Sequence, residues 1–175
     1  MQIHLAEISE CDGKIEHYTL PFEMPELFYQ GTAYPVKDRK SIVLTIENTG
    51  NHVLNISGET SITVNLPCDR CLEDVLVEIP VQFEREIDFK KTEDERVREL
   101  DESSYLCGTD LDVDRMIYLE LLLNWPHKVL CKEDCKGLCK TCGRNLNFGE
   151  CGCLEEPKDP RMAMISDIFR KFKEV

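Results

Sequence analysis

The residues best suited to chemistry in this 175-residue chain are its ten cysteines. Eight of them form four close pairs: Cys68 with Cys71, Cys131 with Cys135, Cys139 with Cys142, and Cys151 with Cys153. Cys11 and Cys107 stand alone. Thiolates are soft, anionic ligands, and four of them suit a redox-silent tetrahedral ion such as zinc. The two-residue gaps of "CDRC" and "CKTC" let both sulfurs of a tight turn converge on one ion. Gly143 follows the second pair directly and supplies the positive φ that such a knuckle takes.

Four pairs make two four-thiolate sites, and they divide into one long-range and one local site. Cys68, Cys71, Cys131 and Cys135 form the first, joining a hairpin tip to a segment far downstream. Cys139, Cys142, Cys151 and Cys153 form the second, closed by the "GRNLNFGE" loop. Two structural zinc ions are expected. Other divisions stay open: Cys68 and Cys71 can pair with Cys139 and Cys142 as in a zinc ribbon, and four thiolates also suit an iron–sulfur cluster. A redox C-x-x-C normally opens a helix after a strand, and neither pair is so placed. All-cysteine sites leave no open coordination position, so they hold folds together rather than catalyse.

Little else invites catalysis. His4, His17, His52 and His127 are scattered; only His127, four residues before Cys131, is placed to replace a ligand or to hydrogen-bond to one. The carboxylates form no acid/base constellation, and there is no phosphate-cradling glycine loop, G-x-S-x-G or H-E-x-x-H. No enzymatic activity is expected. Arg70, Lys128, Lys132, Lys136, Lys140 and Arg144 surround the cysteines. Their ordinary role is solubility and compensation of the charge of about −2 on a four-thiolate zinc. Arg70, Lys132, Lys136, Lys140 and Arg144 also make a candidate contact patch for RNA or for an acidic protein surface.

The net charge of −13 is unevenly spread. Residues 1–125 hold 11 Lys and Arg against 26 Asp and Glu, and residues 126–175 hold 10 against 8. So negative a body repels phosphate backbones and argues against broad nucleic-acid binding. It leaves room for a basic protein partner or a local RNA contact by the C-terminal part. No apolar run approaches the roughly 20 residues of a membrane span. "MQIHLAEISECDGK" lacks the basic and apolar regions of a secretory signal, so a cytoplasmic protein with reduced thiols is expected.

The elements that must position the cysteines are mostly strands. Ile3, Leu5 and Ile8 mark a first strand, and "YTLPFEMPELFYQGTAYP" reads as an ordered loop with short extended pieces. Alternation then runs through Ile42, Leu44 and Ile46, through Val53, Ile56, Ile62, Val64 and Leu66, and through Val75, Val77, Ile79, Val81, Phe83, Ile87 and Phe89. Three long strands with tight connections make an antiparallel meander. Gly58 is expected at a bulge or bend. "PCDRCLED" places a C-x-x-C at a hairpin tip. "KKTEDERVRELDESS" (90–104) is a charged surface linker. Asp112 caps a helix that presents Val113, Met116, Ile117, Glu120, Leu121 and Asn124 on one face. Leu119, Leu122 and Leu123 widen its apolar stripe, Pro126 ends it, and Trp125 packs at its end. A last helix begins at Asp159 and Pro160, with Met164, Ile165, Ile168, Phe169 and Phe172 as its apolar face.

"LPCDRCLEDV", "DLDVDRMIYLELLLNWP", "CKEDCKGLCKTCGRNLN" with its trailing "CGC", and "DPRMAMISDIF" together resemble the bacterial YceD family of large ribosomal RNA subunit accumulation proteins. The likeness covers about residues 40 to 175 and is looser before that. It implies support of 23S rRNA accumulation and large-subunit assembly, through a large-subunit ribosomal protein or the rRNA precursor, without catalysis. It also implies a C-x-R-C turn more widespread than the downstream knuckle.

The expected fold is α+β: an antiparallel sheet, barrel-like in one version, with two helices and a zinc-bound cysteine-rich C-terminal segment. Residues 1–125 form the sheet domain with its buried helix. Residues 126–175 form the cysteine-rich segment and last helix, packed on the same core. A protein-interaction module held by structural zinc, or a thiol redox protein, is the other functional reading.

Overall fold

The computed structural model of the chain describes residues 1–91, 95 and 104–153. Its frame is a pair of 15-residue strands, β6 (Val53–Pro67) and β7 (Asp74–Asp88), paired antiparallel over their whole length. β4 (Thr32–Arg39) and β5 (Ile42–Gly50) lie end to end along the other edge of β6, separated only at Lys40 and Ser41. The register slips between Val36 and Asp38 and between Asn48 and Gly50. β2 (Ile15–Leu20) pairs with β5 and β3 (Glu26–Tyr29) with β4. The result is a four-row meander in which the first two rows are each broken once.

At the break between β4 and β5 the backbone stays paired. Opposite Lys40, the hydroxyl of Thr60 donates to the carbonyl of Lys40 at 2.9 Å, and the Lys40 amide donates to the Ser61 carbonyl at 2.9 Å. The Thr60 hydroxyl and the Ser61 carbonyl thus satisfy backbone groups of Lys40 that the interrupted ladder would leave unpaired. The hairpin turns follow their local chemistry. Asn51 and His52 both take positive φ (58° and 62°) between Gly50 and Val53, as a two-residue type I′ turn requires. Gln30 and Gly31 do the same between Tyr29 and Thr32.

One face of the sheet is the core. Ile42, Leu44 and Ile46 of β5 and Leu54, Ile56, Ile62 and Val64 of β6 are wholly buried, and Ile79, Val81, Phe83 and Ile87 of β7 nearly so. Each such side chain contributes about 1.5–3 kcal/mol by leaving water. In β6 the buried residue at the strand start is Leu54, whereas Val53, expected to face inward, is only half-buried. Gly58 forms no bulge, for it pairs in register with Leu44 and Phe83. A Cβ there would lie 2.5 Å from Phe83 Cζ and 2.8 Å from Cε1, so the glycine makes room for the ring. Nor does the sheet close into a barrel: β7 and β2 lie at opposite margins and pair with β6 and β5 respectively.

The expected first strand is shorter than its pattern. β1 (Gln2–His4) carries Ile3, Leu5 is the N-cap of a short helix, α1 (Ala6–Ser9), and Ile8 lies within it. All three are buried. Asn48 fastens α1 to the sheet by donating from Nδ2 to the carbonyls of Ile8 (2.7 Å) and Ser9 (3.0 Å). β1 pairs with β9 (Asp110–Asp112), which also pairs with β8 (Leu106–Cys107), making a small second sheet. β9 runs into α2 (Val113–Leu123), which packs on β7. Asp112 caps α2, accepting from the Arg115 amide at 3.2 Å. Val113, Met116, Ile117, Glu120 and Leu121 are buried as the face pattern demands, while Leu123 is 69% exposed and lies outside the stripe. The buried Glu120 carboxylate receives the Arg85 guanidinium at 2.7 and 2.9 Å. Most of the charged stretch 90–104 and the whole expected helix from Asp159 lie outside the described residues. Among the described residues no helix is long and apolar enough to cross a membrane.

Candidate metal centres

The β6–β7 hairpin carries "CDRC" at its tip, where Pro67 opposite Asp74 closes the ladder. The Cys68 amide donates to the Glu73 carbonyl and the Leu72 amide to the Cys68 carbonyl, both within 2.9 Å. This tight loop turns Cys68 and Cys71 toward the segment that leaves α2. That segment is bound to the tip by its backbone. The Asp69 amide donates to the Val129 carbonyl (2.9 Å), the Val129 amide returns a bond to Asp69 Oδ2 (2.7 Å), and the Leu138 amide donates to the Arg70 carbonyl (3.1 Å). Gly137, at φ +75°, lies so close to the Arg70 carbonyl that a Cβ would sit 3.0 Å from it.

Two quartets result. Cys68, Cys71, Cys131 and Cys135 bring their sulfurs within 4.8 Å of one another, and so do Cys139, Cys142, Cys151 and Cys153. Both divisions coincide with the expected ones. Cys68 Sγ lies 3.8 Å from Cys135 Sγ, and Cys71 Sγ lies 3.5 Å from Cys131 Sγ. Sulfurs at the corners of a tetrahedron around an ion with bonds of about 2.3 Å are about 3.8 Å apart, so the spacing fits. All ten cysteines are free thiols. In the first quartet Cys68, Cys71 and Cys135 are buried and Cys131 is half-buried; the second quartet is more open, with Cys142 exposed.

The electrostatics point the same way. Burial pushes the Cys68 thiol up, but the amides of Arg70, Cys131 and Cys71 together outweigh it and bring it down to about 6. The Cys142 and Thr141 amides bring Cys139 down to about 6. The carboxamide of Asn147 lowers Cys135, its Nδ2 donating to Sγ at 3.3 Å. Burial and the neighbouring thiols push Cys131 up to about 12, and Cys142 and Cys151 do the same to Cys153. The first quartet therefore sets two readily ionised thiols, Cys68 and Cys135, beside Cys71 and Cys131, which are pushed up, and the second sets Cys139 beside the raised Cys153. A divalent cation relieves that conflict, and each group could hold one.

The quartets are coupled. Leu138 bridges to Asn145, the Leu146 amide donates to the Gly137 carbonyl (2.9 Å), and Asn147 Oδ1 accepts from the Lys136 amide (2.9 Å) while Nδ2 reaches Cys135. Asn147 thus links the second site's loop to a ligand of the first. Sequence reasoning missed it, as it missed Asp69 and Gly137; the run "NLN" beside a knuckle was the available signal. His127 is exposed and lies outside both quartets. Lys132, Lys136, Lys140 and Arg144 are exposed. Arg70 spends its guanidinium within the fold, donating to the Cys135 carbonyl at 2.8 Å.

Fold and site together define a class: an antiparallel sheet protein whose central hairpin tip shares a four-thiol cluster with a knuckle-bearing segment. The chain belongs to the family described as large ribosomal RNA subunit accumulation protein YceD, whose family profile matches residues 56–169. The family name implies a role in accumulation of large-subunit ribosomal RNA. Curated relatives include uncharacterized proteins of Mycobacterium tuberculosis and Mycobacterium bovis, each 27% identical over 126 residues, which is 72% of this chain and 60% of theirs. An uncharacterized protein of Mycobacterium leprae is 26% identical over 126 residues, 72% of this chain and 57% of its own length. The match thus spans less than two thirds of these relatives. No solved structure matches the chain.

Proposed function

We propose that the chain is a non-catalytic assembly factor. It supports 23S rRNA accumulation in the cytoplasm through a large-subunit ribosomal protein or the rRNA precursor. Two structural zinc ions hold it, one on Cys68, Cys71, Cys131 and Cys135 and one on Cys139, Cys142, Cys151 and Cys153. Zinc suits the donor set because it is redox-silent and takes four thiolates. The observation that carries the reading is the first quartet, whose sulfurs come from two distant segments and which uses all four positions of a tetrahedral ion. Such a site joins segments and leaves no place for substrate.

The zinc compensates thiolate charge, and this chain's own groups do the rest. The amides of Arg70 and Cys71 stabilise Cys68, and Asn147 orients Cys135. The acidic body suits a basic ribosomal protein, while Lys132, Lys136, Lys140 and Arg144 offer RNA or an acidic surface a contact. Sedimentation of cell extract tests this. The protein should travel with large-subunit precursors, Cys68→Ser should abolish that, and depletion should lower 23S rRNA. Unchanged 23S rRNA on depletion would sink the reading.

A further inference from the structure

Beside the first quartet lies a cavity of about 280 Å³ that the metal chemistry does not use. Three parts of the fold meet around it: the β3–β4 hairpin, the segment after α2, and the hairpin tip bearing Asp69. Tyr29, Tyr34 and Trp125 contribute rings to its wall. Trp125 stacks on Tyr29 with ring centroids 4.3 Å apart and planes 18° from parallel, and Tyr34 leans on Trp125 at 5.2 Å and 49°. Gln30, His127 and Asp69 supply polar groups. Asp69 uses Oδ2 to hold the Val129 amide. Among the described residues no lysine or arginine lines the cavity. Lys128 is exposed but not in the wall, and the Arg70 guanidinium is turned to the carbonyl of Cys135.

We infer that this cavity is a binding site for an arginine side chain from a basic protein segment. The rings of Tyr29, Tyr34 and Trp125 attract a cation through their quadrupoles, and the Asp69 carboxylate supplies the counter-charge. Arginine fits better than lysine, because its planar guanidinium stacks on an aromatic face while its edge still donates hydrogen bonds. The volume lies near the lower end of small-molecule sites, about 300–1,000 Å³, and suits one planar group. Charge decides against a nucleotide: its phosphates would meet an uncompensated carboxylate and a body with 26 acidic against 11 basic residues over positions 1–125. The inference rests on the proposed role, since it names the chemistry by which a basic ribosomal protein would be held.

Trp125 is the chain's single tryptophan, so tryptophan fluorescence comes from the cavity wall. The metal-loaded full chain is titrated with an arginine-rich decapeptide, its lysine counterpart and a single-stranded RNA decanucleotide. The arginine peptide should change the emission saturably and bind several-fold more tightly than the lysine peptide. Tyr34→Ala should weaken it about five-fold or more. Asp69→Asn, which keeps an acceptor for the Val129 amide, should weaken it too. Metal content of both variants checks that the fold is intact. An emission change with RNA but not with peptide overturns the inference. So does peptide binding, followed by anisotropy of a labelled peptide, that leaves Trp125 undisturbed, or no binding at all. Co-sedimentation with large-subunit precursors reads the proposed role separately: if it persists while every peptide fails, only the arginine site falls.

Discussion

Cys71 Sγ and Cys131 Sγ face each other across 3.5 Å although sixty positions separate them in the chain. The contact joins the far end of the longest hairpin to the exit of α2, so the first quartet closes a far longer loop than the second. The second quartet draws all its ligands from residues 139–153. The two sites should therefore respond differently to substitution and to unfolding.

Native mass spectrometry of freshly reduced protein should find two zinc ions per chain. Cys71→Ser should lose one and retain the other, with a large fall in thermal stability because a link between distant segments is gone. Cys142→Ser should also lose one, with a smaller fall. A single ion in the wild type would overturn the two-site division, and the two variants would show which quartet holds it.

Gly58→Ala should destabilise the protein by about 1–3 kcal/mol, because its Cβ would meet the Phe83 ring at 2.5 Å in a packed core. Phe83→Leu in the same chain should recover part of that loss. Urea unfolding of the two single variants and the double variant gives the coupling, and strict additivity would show that the ring does not require the glycine.

Arg85→Leu should cost about 3 kcal/mol, since it leaves the buried Glu120 carboxylate without its charged partner. Replacing both residues by leucine should cost less than Arg85→Leu alone. The pair lies between β7 and α2, so hydrogen exchange should show α2 loosening first in the single variant.

Alkaline titration should reveal Tyr18. Burial, then its hydrogen bond to Glu16, raises this phenol from 10 to about 12. The folded state favours the neutral form, so the associated stability is fully present below pH 10 and is lost as pH rises through about 12. Urea midpoints should fall over that window, and Tyr18→Phe should fall less steeply.

Much of this was legible in the residues. Strict alternation gave β5, β6 and β7, because a sheet with one buried face admits only period two. The face of α2 and its Asp112 cap followed from local chemistry. The four cysteine pairs followed from spacing, since a tight turn brings nearby thiols together wherever it lies, but which pairs share a quartet is set by the fold. What failed were features set by packing. Gly58 looked like a bend, yet its reason lies on Phe83, one strand away and twenty-five positions downstream. Val53 looked inward because β-branched residues suit strands, but the register after the type I′ turn buried Leu54. Residues 21–40 hid β3 and β4 because prolines and aromatics mask alternation, and only the Gln30–Gly31 turn marks the hairpin. The cavity beside Trp125 could not be read at all, since its wall gathers from three segments.

The order of ligands along the chain also sets a timetable. A cluster drawn from fifteen consecutive residues closes a short loop and can seize an ion early, whatever the rest of the chain is doing. The other must bring together segments sixty positions apart, at a higher entropic cost. In a cell where free zinc is scarce, the first-filled cluster would hold its ion beside the unfinished one, with Asn147 spanning the two. Metal uptake would then be a checkpoint late in folding, and the chain's capacity to hold a partner would date from the moment the second ion arrives.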